Sequence, residues 1–286
     1  MHGQIPKRII QFHIGKQIKE SLRNRAAMSN LKLLNPGFEY LFFDDAHVQE
    51  FIQQEFPQYR EVFDSFQSTI ERCDFFRYLA IYRLGGFYFD LDVLLASGVS
   101  DLLEQDCVFP FERVNFSHFL RKDLGMDWQI GNYAFGARPG HPFLDAIIKN
   151  CVRGQKDRGW VKPMMRGSPP LIEDEYFVLN STGPGLVSRT LAENPDLAKT
   201  VTVLFPDDVC DVRNWNLFGD YGVHLMDSSW REKRSFVRQR LTNYCRDWIQ
   251  QRRIKDSRKL GKSRHHPSKL PVSAAAADEL HPTESR

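Results

Sequence analysis

Apolar residues in this chain switch repeatedly between two spacings. Ile9, Ile10 and Phe12 form a compact apolar run after Pro6, which cannot enter a helix interior, so residues 5–12 predict a first strand. Residues 17–34 follow a helical period. Asn35-Pro36-Gly37 predicts a turn, and the alternating aromatic run Phe38–Phe43 a second strand. Asp44 and Asp45 can cap a helix carrying His47, Val48, Phe51 and Ile52. A short helical segment from Tyr59 to Phe66 leads into the stretch Arg72–Val93, around which the chain is organised. Its apolar positions Phe76, Leu79, Ala80 and Leu84 predict a helix that Gly85-Gly86 stops. Phe87-Tyr88-Phe89 then predicts a short buried strand ending at Asp90-Leu91-Asp92.

Beyond that point the pattern predicts a strand over 106–111 and a loop over 112–127. Strand, turn and helix follow from Gln129 through Pro142. Residues 153–170, rich in Gly, Pro, Lys and Arg, predict an exposed, mobile insertion. Ser181 or Thr182 can cap a helix after the Thr182-Gly183-Pro184 turn. Residues 201–206 predict a late strand.

Candidate chemistry concentrates around Asp90 and Asp92. Carboxylates two apart on a strand point to one face. They repel unless a cation or a shared proton lies between them. Hard oxygen ligands suit magnesium or manganese, ions that commonly accompany phosphate. A lone D-x-D can equally be two solvated acids at a strand end. Here it follows Asp74 and Arg77, one helical turn apart, and the Gly85-Gly86-Phe87-Tyr88 segment.

This longer pattern, D-x-x-R, helix, G-G-x-Y, D-x-D, resembles the sugar-nucleotide-dependent glycosyltransferases of family 32, which carry a DXD sugar-binding region. Two further stretches extend the resemblance: Ile130-Gly131-Asn132 through Pro139-Gly140-His141-Pro142, and His224 through Ser229-Trp230. The first strand departs from the family pattern, with Ile10 where relatives carry His and His13 or Ile14 where they carry Trp. The resemblance implies an α/β, GT-A-type, Rossmann-like domain with a mostly parallel central sheet flanked by helices. It implies a hexose transferred from a UDP- or GDP-sugar to a hydroxyl on a glycan or lipid-linked acceptor, with retention, as in polysaccharide, lipopolysaccharide or glycolipid synthesis. It also implies roles: Asp74, Arg77, Asp90 and Asp92 at the reacting sugar, with Asp90, Asp92 and His224 around Mn2+ or Mg2+. Donor contacts would come from Ile10, Gln11, Tyr88, Asn132, Ser229 and Trp230. Asn132 can equally stabilise a turn, and His141-Pro142 reads as a helix start. The competing class is a degenerate relative that acts as a binding or scaffold protein; the retained D-x-D and His224 weigh against it.

Composition adds a core and an uneven charge. Apolar residues make up 42% of the 286, with 22 Phe, enough for a substantial core. Residues 231–269 balance at +11 and residues 1–230 at −6. The predicted layout is therefore a catalytic domain over 1–230, a basic amphipathic helix over 231–256 and a disordered tail over 257–286. Val237, Leu241, Tyr244, Cys245 and Trp248 lie at helical spacing in that arm. They either pack on the body or lie on an anionic membrane. Nothing in the sequence supplies a module for reading nucleic acid. Five scattered cysteines without C-x-x-C spacing suit a reducing compartment. No apolar run is long enough for a signal peptide or a membrane span. The expected location is cytoplasmic, peripheral at the inner face of the membrane.

Overall fold

The organising helix begins at Thr69, three residues before the stretch that opens at Arg72, because Ser68 and Glu71 form a reciprocal capping box. Such a box satisfies two otherwise unpaired N–H groups at the helix start. The computed structural model describes residues 4–15, 22–115, 117–226 and 236–262. In chain order its strands are β1 (Arg8–Phe12), β2 (Glu39–Phe43), β3 (Gly86–Phe89), β4 (Val93–Leu95), β5 (Cys107–Val114), β6 (Trp128–Ile130), β7 (Ala134–Ala137), β8 (Thr202–Leu204), β9 (Leu217–Phe218) and β10 (Gly222–His224). The helices are α1 (Leu22–Leu34), α2 (Asp45–Glu55), α3 (Arg60–Ser65), α4 (Thr69–Leu84), α5 (Pro142–Lys156), α6 (Arg158–Val161), α7 (Glu173–Ser181), α8 (Pro184–Glu193), α9 (Pro195–Ala198) and α10 (Phe236–Lys262).

The central sheet has seven strands in the order β2-β1-β3-β7-β5-β6, with β8 paired to β5. β1 runs parallel to both β2 and β3, and β5 parallel to β8, while β7 and β6 run against their neighbours. Most strands thus share one direction, as the predicted α/β class requires. β4, β10 and β9 form a second, antiparallel sheet of three strands. The pairing of His224 with Val93 in that sheet brings the end of the fold back beside the D-x-D strand.

α4 packs its aromatic residues under β1 and β2. Phe76 meets Phe12, Phe43 and Phe51 edge-on, with ring centroids 4.8, 5.5 and 5.6 Å apart. Each such ring contributes about 2 kcal/mol from burial, and the edge-to-face pairs add to it. The α4–β3 reversal depends on Gly85 and Gly86, whose φ angles are +66° and +106°. A Cβ on Gly86 would lie 2.6 Å from the Arg8 carbonyl oxygen, so β3 can approach β1 only without a side chain there.

Four expectations change. β5 continues through Val114 into the stretch expected as loop, because its residues pair with β6 from Trp128 onward. Residues 153–170 are not an exposed insertion: Trp160, Val161 and Met164 are buried, so this region joins the core. α8 is capped at Gly183 without a side-chain hydrogen bond, and neither Ser181 nor Thr182 caps it. The last helix extends to Lys262, past the expected boundary at 256. The tail expected to be disordered lies outside the described residues from 263 on.

Candidate active site

Local folding puts the acidic pair at the carboxyl end of β3, where open α/β sheets form their ligand crevice. Gln11, at the end of β1, fixes that strand end. Its amide donates to the carbonyls of Phe89 (3.2 Å) and Asp90 (3.3 Å), while its oxygen accepts from Tyr40 (2.7 Å). The Asp90 N–H donates to the Tyr133 carbonyl at 2.7 Å, and the Leu225 N–H to the Asp92 carbonyl at 3.0 Å. The D-x-D backbone is thereby held from three sides.

The side chains converge. His224 Nε2 lies 3.3 Å from Asp92 and 3.9 Å from Asp90. One ligand atom from each of the three residues falls within a 4.8 Å group. The His224 ring stacks on Tyr133 at 4.4 Å between centroids and 15° between planes, which fixes the imidazole's orientation. Two carboxylate oxygens and one imidazole nitrogen form a hard-to-borderline donor set that fits Mn2+ or Mg2+. Burial alone would lower the pKa of His224, but its contact with Asp92 and the charge of Asp90 outweigh that, and the net shift is upward. The Asp90 carboxyl is pushed up by burial, against the opposing pull of Arg77 and His224.

Beneath this group lies a buried charged floor. Arg77 reaches Asp74 at 3.1 Å and Asp90 at 3.2 Å, donates to the Asn132 carbonyl at 2.7 Å and sits 4.7 Å over the Tyr88 ring. Tyr88 donates its hydroxyl to Asp90. Asp74 accepts from the Asn132 amide at 3.0 Å and from the Thr182 hydroxyl at 2.9 Å. Tyr78 completes the network: its hydroxyl accepts from Asn132 (2.8 Å) and donates to the Thr182 carbonyl (2.8 Å). Burial drives the Asp74 carboxyl up to about 6, although Arg77, Thr182 and Asn132 favour its charged form.

The structure therefore sorts the expected residues. Asp90, Asp92 and His224 come together, as do Asp74, Arg77, Tyr88 and Asn132. Ile10 does not face a ligand: its side chain is fully buried in the core. Gln11 spends its amide on the D-x-D strand and positions that strand instead of reaching outward. Both amide hydrogens of Asn132 are likewise engaged by protein. Ser229 and Trp230 lie outside the described residues. His141 is a helix start, as expected, with Nδ1 accepting from the Phe143 N–H at 3.2 Å. Thr182, Tyr78 and Tyr133 were not anticipated as parts of the site. Thr182 was expected only as a possible helix cap.

Residues 21–109 match the family described as glycosyltransferase sugar-binding region containing DXD motif. This region of the chain is similar to that family. The DXD region spans α1 through the first residues of β5, and so contains the acidic pair, Asp74 and Arg77. The chain is 32% identical over 120 residues to inositol phosphoceramide mannosyltransferase 3 of Schizosaccharomyces pombe, covering 42% of this chain and 30% of that protein. It is 29% identical over 184 residues to the mannosyl phosphorylinositol ceramide synthase SUR1 of Saccharomyces cerevisiae, covering 64% and 41%. The chain thus spans less than half the length of these relatives. Among solved structures, the PaToxG glycosyltransferase superposes with a TM-score of 0.42 at 17% identity, covering 67% of this chain and 70% of that one.

Proposed function

We propose that the protein is a metal-dependent glycosyltransferase that moves a hexose from a UDP- or GDP-sugar to a hydroxyl of a glycan or lipid-linked acceptor, with retention of configuration. The observation that carries this reading is the convergence of Asp90, Asp92 and His224 from distant parts of the chain onto one small group. Mn2+ or Mg2+ held there would act as a Lewis acid that offsets the charge of the departing diphosphate. The protein's own part is positioning. Arg77 and Tyr88 hold Asp90, and Gln11 holds the strand beneath it. Asp74 and Arg77 lie deepest, and in this reading they meet the hydroxyls of the donor sugar. With both oxygens of Asp74 already engaged by protein, its orientation is set before any ligand arrives, which lowers the cost of binding.

The hexose is proposed to be mannose and the acceptor a phosphorylated glycolipid, on the strength of the names that the two yeast relatives carry. Peripheral contact with an anionic membrane accords with a lipid acceptor and with the +11 balance of residues 231–269. The structure adds that Leu241, Tyr244 and Trp248 of α10 are exposed. The alternative, a degenerate scaffold, lacks an observation in its favour.

The test is a hydrolysis and binding screen over UDP- and GDP-sugars with Mn2+ and with chelator. Metal-dependent turnover of one donor is the expected result. Absence of turnover and binding for every donor would overturn the reading.

A further inference from the structure

Gly131, Asn132 and Tyr133 join β6 to β7. Asn132 serves the charged floor, and its neighbour Tyr133 reaches the candidate metal group by three routes. The Tyr133 carbonyl accepts the Asp90 N–H at 2.7 Å. Its ring lies against the His224 imidazole, with centroids 4.4 Å apart and planes 15° apart. Its hydroxyl donates to the Leu217 carbonyl on β9 at 2.9 Å. The carbonyl of the preceding residue, Asn216, accepts the His224 N–H at 3.0 Å. The two stacked rings are therefore anchored to adjacent residues of one backbone segment, and Tyr133 is buried there.

A histidine that binds a metal through one ring nitrogen ordinarily donates from the other to a carboxylate, carbonyl or water, and that bond fixes the ring. His224 is arranged differently. Its Nε2 faces Asp92 and Asp90, and the buried Nδ1 has no hydrogen-bond partner among the described residues. Packing has to orient this imidazole, and the stack can do so only if the phenol ring is itself held. Gly131 provides for that. A Cβ at position 131 would stand 2.4 Å from Tyr133 Cε1 and 2.8 Å from Cδ1. The ring thus folds back over the bare Gly131 backbone, into space that any side chain would fill. Gly131 is not among the glycines with positive φ, so the space, not the backbone angle, calls for glycine here.

We infer that Gly131 and Tyr133 are positioning residues that set the His224 imidazole beside the D-x-D before a metal arrives. The inference deepens the metal-dependent reading and rests on it for the consequence, since a ligand ordered in advance lowers the cost of binding. Neither residue is assigned a contact with donor or acceptor; both act through His224.

Two measurements on the full chain test this. The first is NMR of the protein in EDTA, with the His224 imidazole signals identified by their loss in His224→Asn. A stacked phenol ring shifts imidazole protons upfield. Wild type should show that shift, Tyr133→Phe should keep it, and Tyr133→Val and Gly131→Ala should lose it. Tyr133→Leu, which keeps more bulk, takes the place of Tyr133→Val if that variant does not fold. The second is Mn2+ affinity by electron paramagnetic resonance. Tyr133→Val and Gly131→Ala should each bind Mn2+ about tenfold more weakly or worse, the loss usual for a group that orients a ligand. Their effects should not add, because removing the ring removes the nearest neighbours of a methyl at 131. Tyr133→Phe should bind close to wild type, and in a His224→Asn background neither change should lower the residual affinity further. An imidazole unshifted in wild type, or shifted alike in every variant, overturns the inference. So does wild-type Mn2+ affinity in Tyr133→Val and Gly131→Ala, or a loss that persists undiminished without His224. A wild type that shows the shift, loses it in both variants and binds no Mn2+ would sink the metal-dependent reading and leave the positioning role standing.

Discussion

His224 Nε2 lies 3.3 Å from the Asp92 carboxylate, and the two are joined again through backbone, because the residue after His224 donates its N–H to the Asp92 carbonyl at 3.0 Å. β10 thus carries its imidazole to the D-x-D as part of a sheet, not as a loose loop. A protonated His224 cannot ligate a metal, so a metal held here would compete with a proton for Nε2.

Asp92→Asn keeps the volume and removes the charge. Donor turnover should fall by at least a hundredfold at saturating Mn2+, while the melting temperature in EDTA stays within a few degrees of wild type. Wild-type turnover should disappear in EDTA and return on adding Mn2+. Retained turnover in the variant, or in chelator, would contradict a metal held here.

Arg77 is a different case, because it is buried between two carboxylates. Removing it strands both charges, a loss of roughly 3–5 kcal/mol for a broken buried pair. Arg77→Ala should therefore lower the melting temperature as well as turnover. Asp74→Asn, which keeps the Thr182 contact sterically, should lower turnover with a smaller stability loss. A melting temperature unchanged in Arg77→Ala would mean that solvent reaches this floor freely.

Gly86→Ala tests the backbone approach that seats β3 against β1. The added Cβ would meet the Arg8 carbonyl at 2.6 Å, at a φ of +106°. A destabilisation of about 2 kcal/mol or more is expected from strain of this kind. Chemical denaturation would measure it, and a neutral result would show that β1 and β3 can separate at no cost.

His141 supplies a pH dependence away from the metal group. Burial, reinforced by Arg138 and partly opposed by Asp106, lowers its pKa to about 4 from an ordinary value of 6.5. The unfolded chain therefore binds the proton more readily. Stability is fully present above pH 6.5 and falls as the pH drops toward 4, by up to roughly 3 kcal/mol for a shift of this size. His141→Gln should flatten the wild-type curve across that window. A variant curve parallel to wild type would assign the acid sensitivity to other groups.

Much of this was legible in the sequence, and the rest was hidden for physical reasons. The D-x-D strand, the α4 helix and the pairing of Asp74 with Arg77 follow from local spacing. The partners Thr182 and Asn132 of Asp74 come from other elements, and no local pattern says which hydroxyl a buried carboxylate will recruit. Gln11 was expected at the donor from the family resemblance; the structure gives it a backbone to hold. The sequence left open whether the apolar stripe of α10 packs on the body or meets lipid; the body takes Thr242, Arg246 and Ser257 and leaves Leu241, Tyr244 and Trp248 outside.

That exposure sets up the last prediction. Leu241, Tyr244 and Trp248 are 52%, 70% and 51% exposed, and Arg252 and Lys255 continue the same face. Exposed aromatic rings beside basic side chains suit the headgroup level of an anionic bilayer, where each basic residue adds about 1 kcal/mol. Wild-type protein should float with anionic liposomes at low salt and not with neutral ones. Tyr244→Ser with Trp248→Ser should abolish flotation while donor hydrolysis is unchanged, because neither residue belongs to the site. Arg252→Gln with Lys255→Gln should make the residual binding less sensitive to salt, since screening acts over a Debye length of about 8 Å at physiological ionic strength. Failure of the wild type to float would remove the bilayer as the partner of this face.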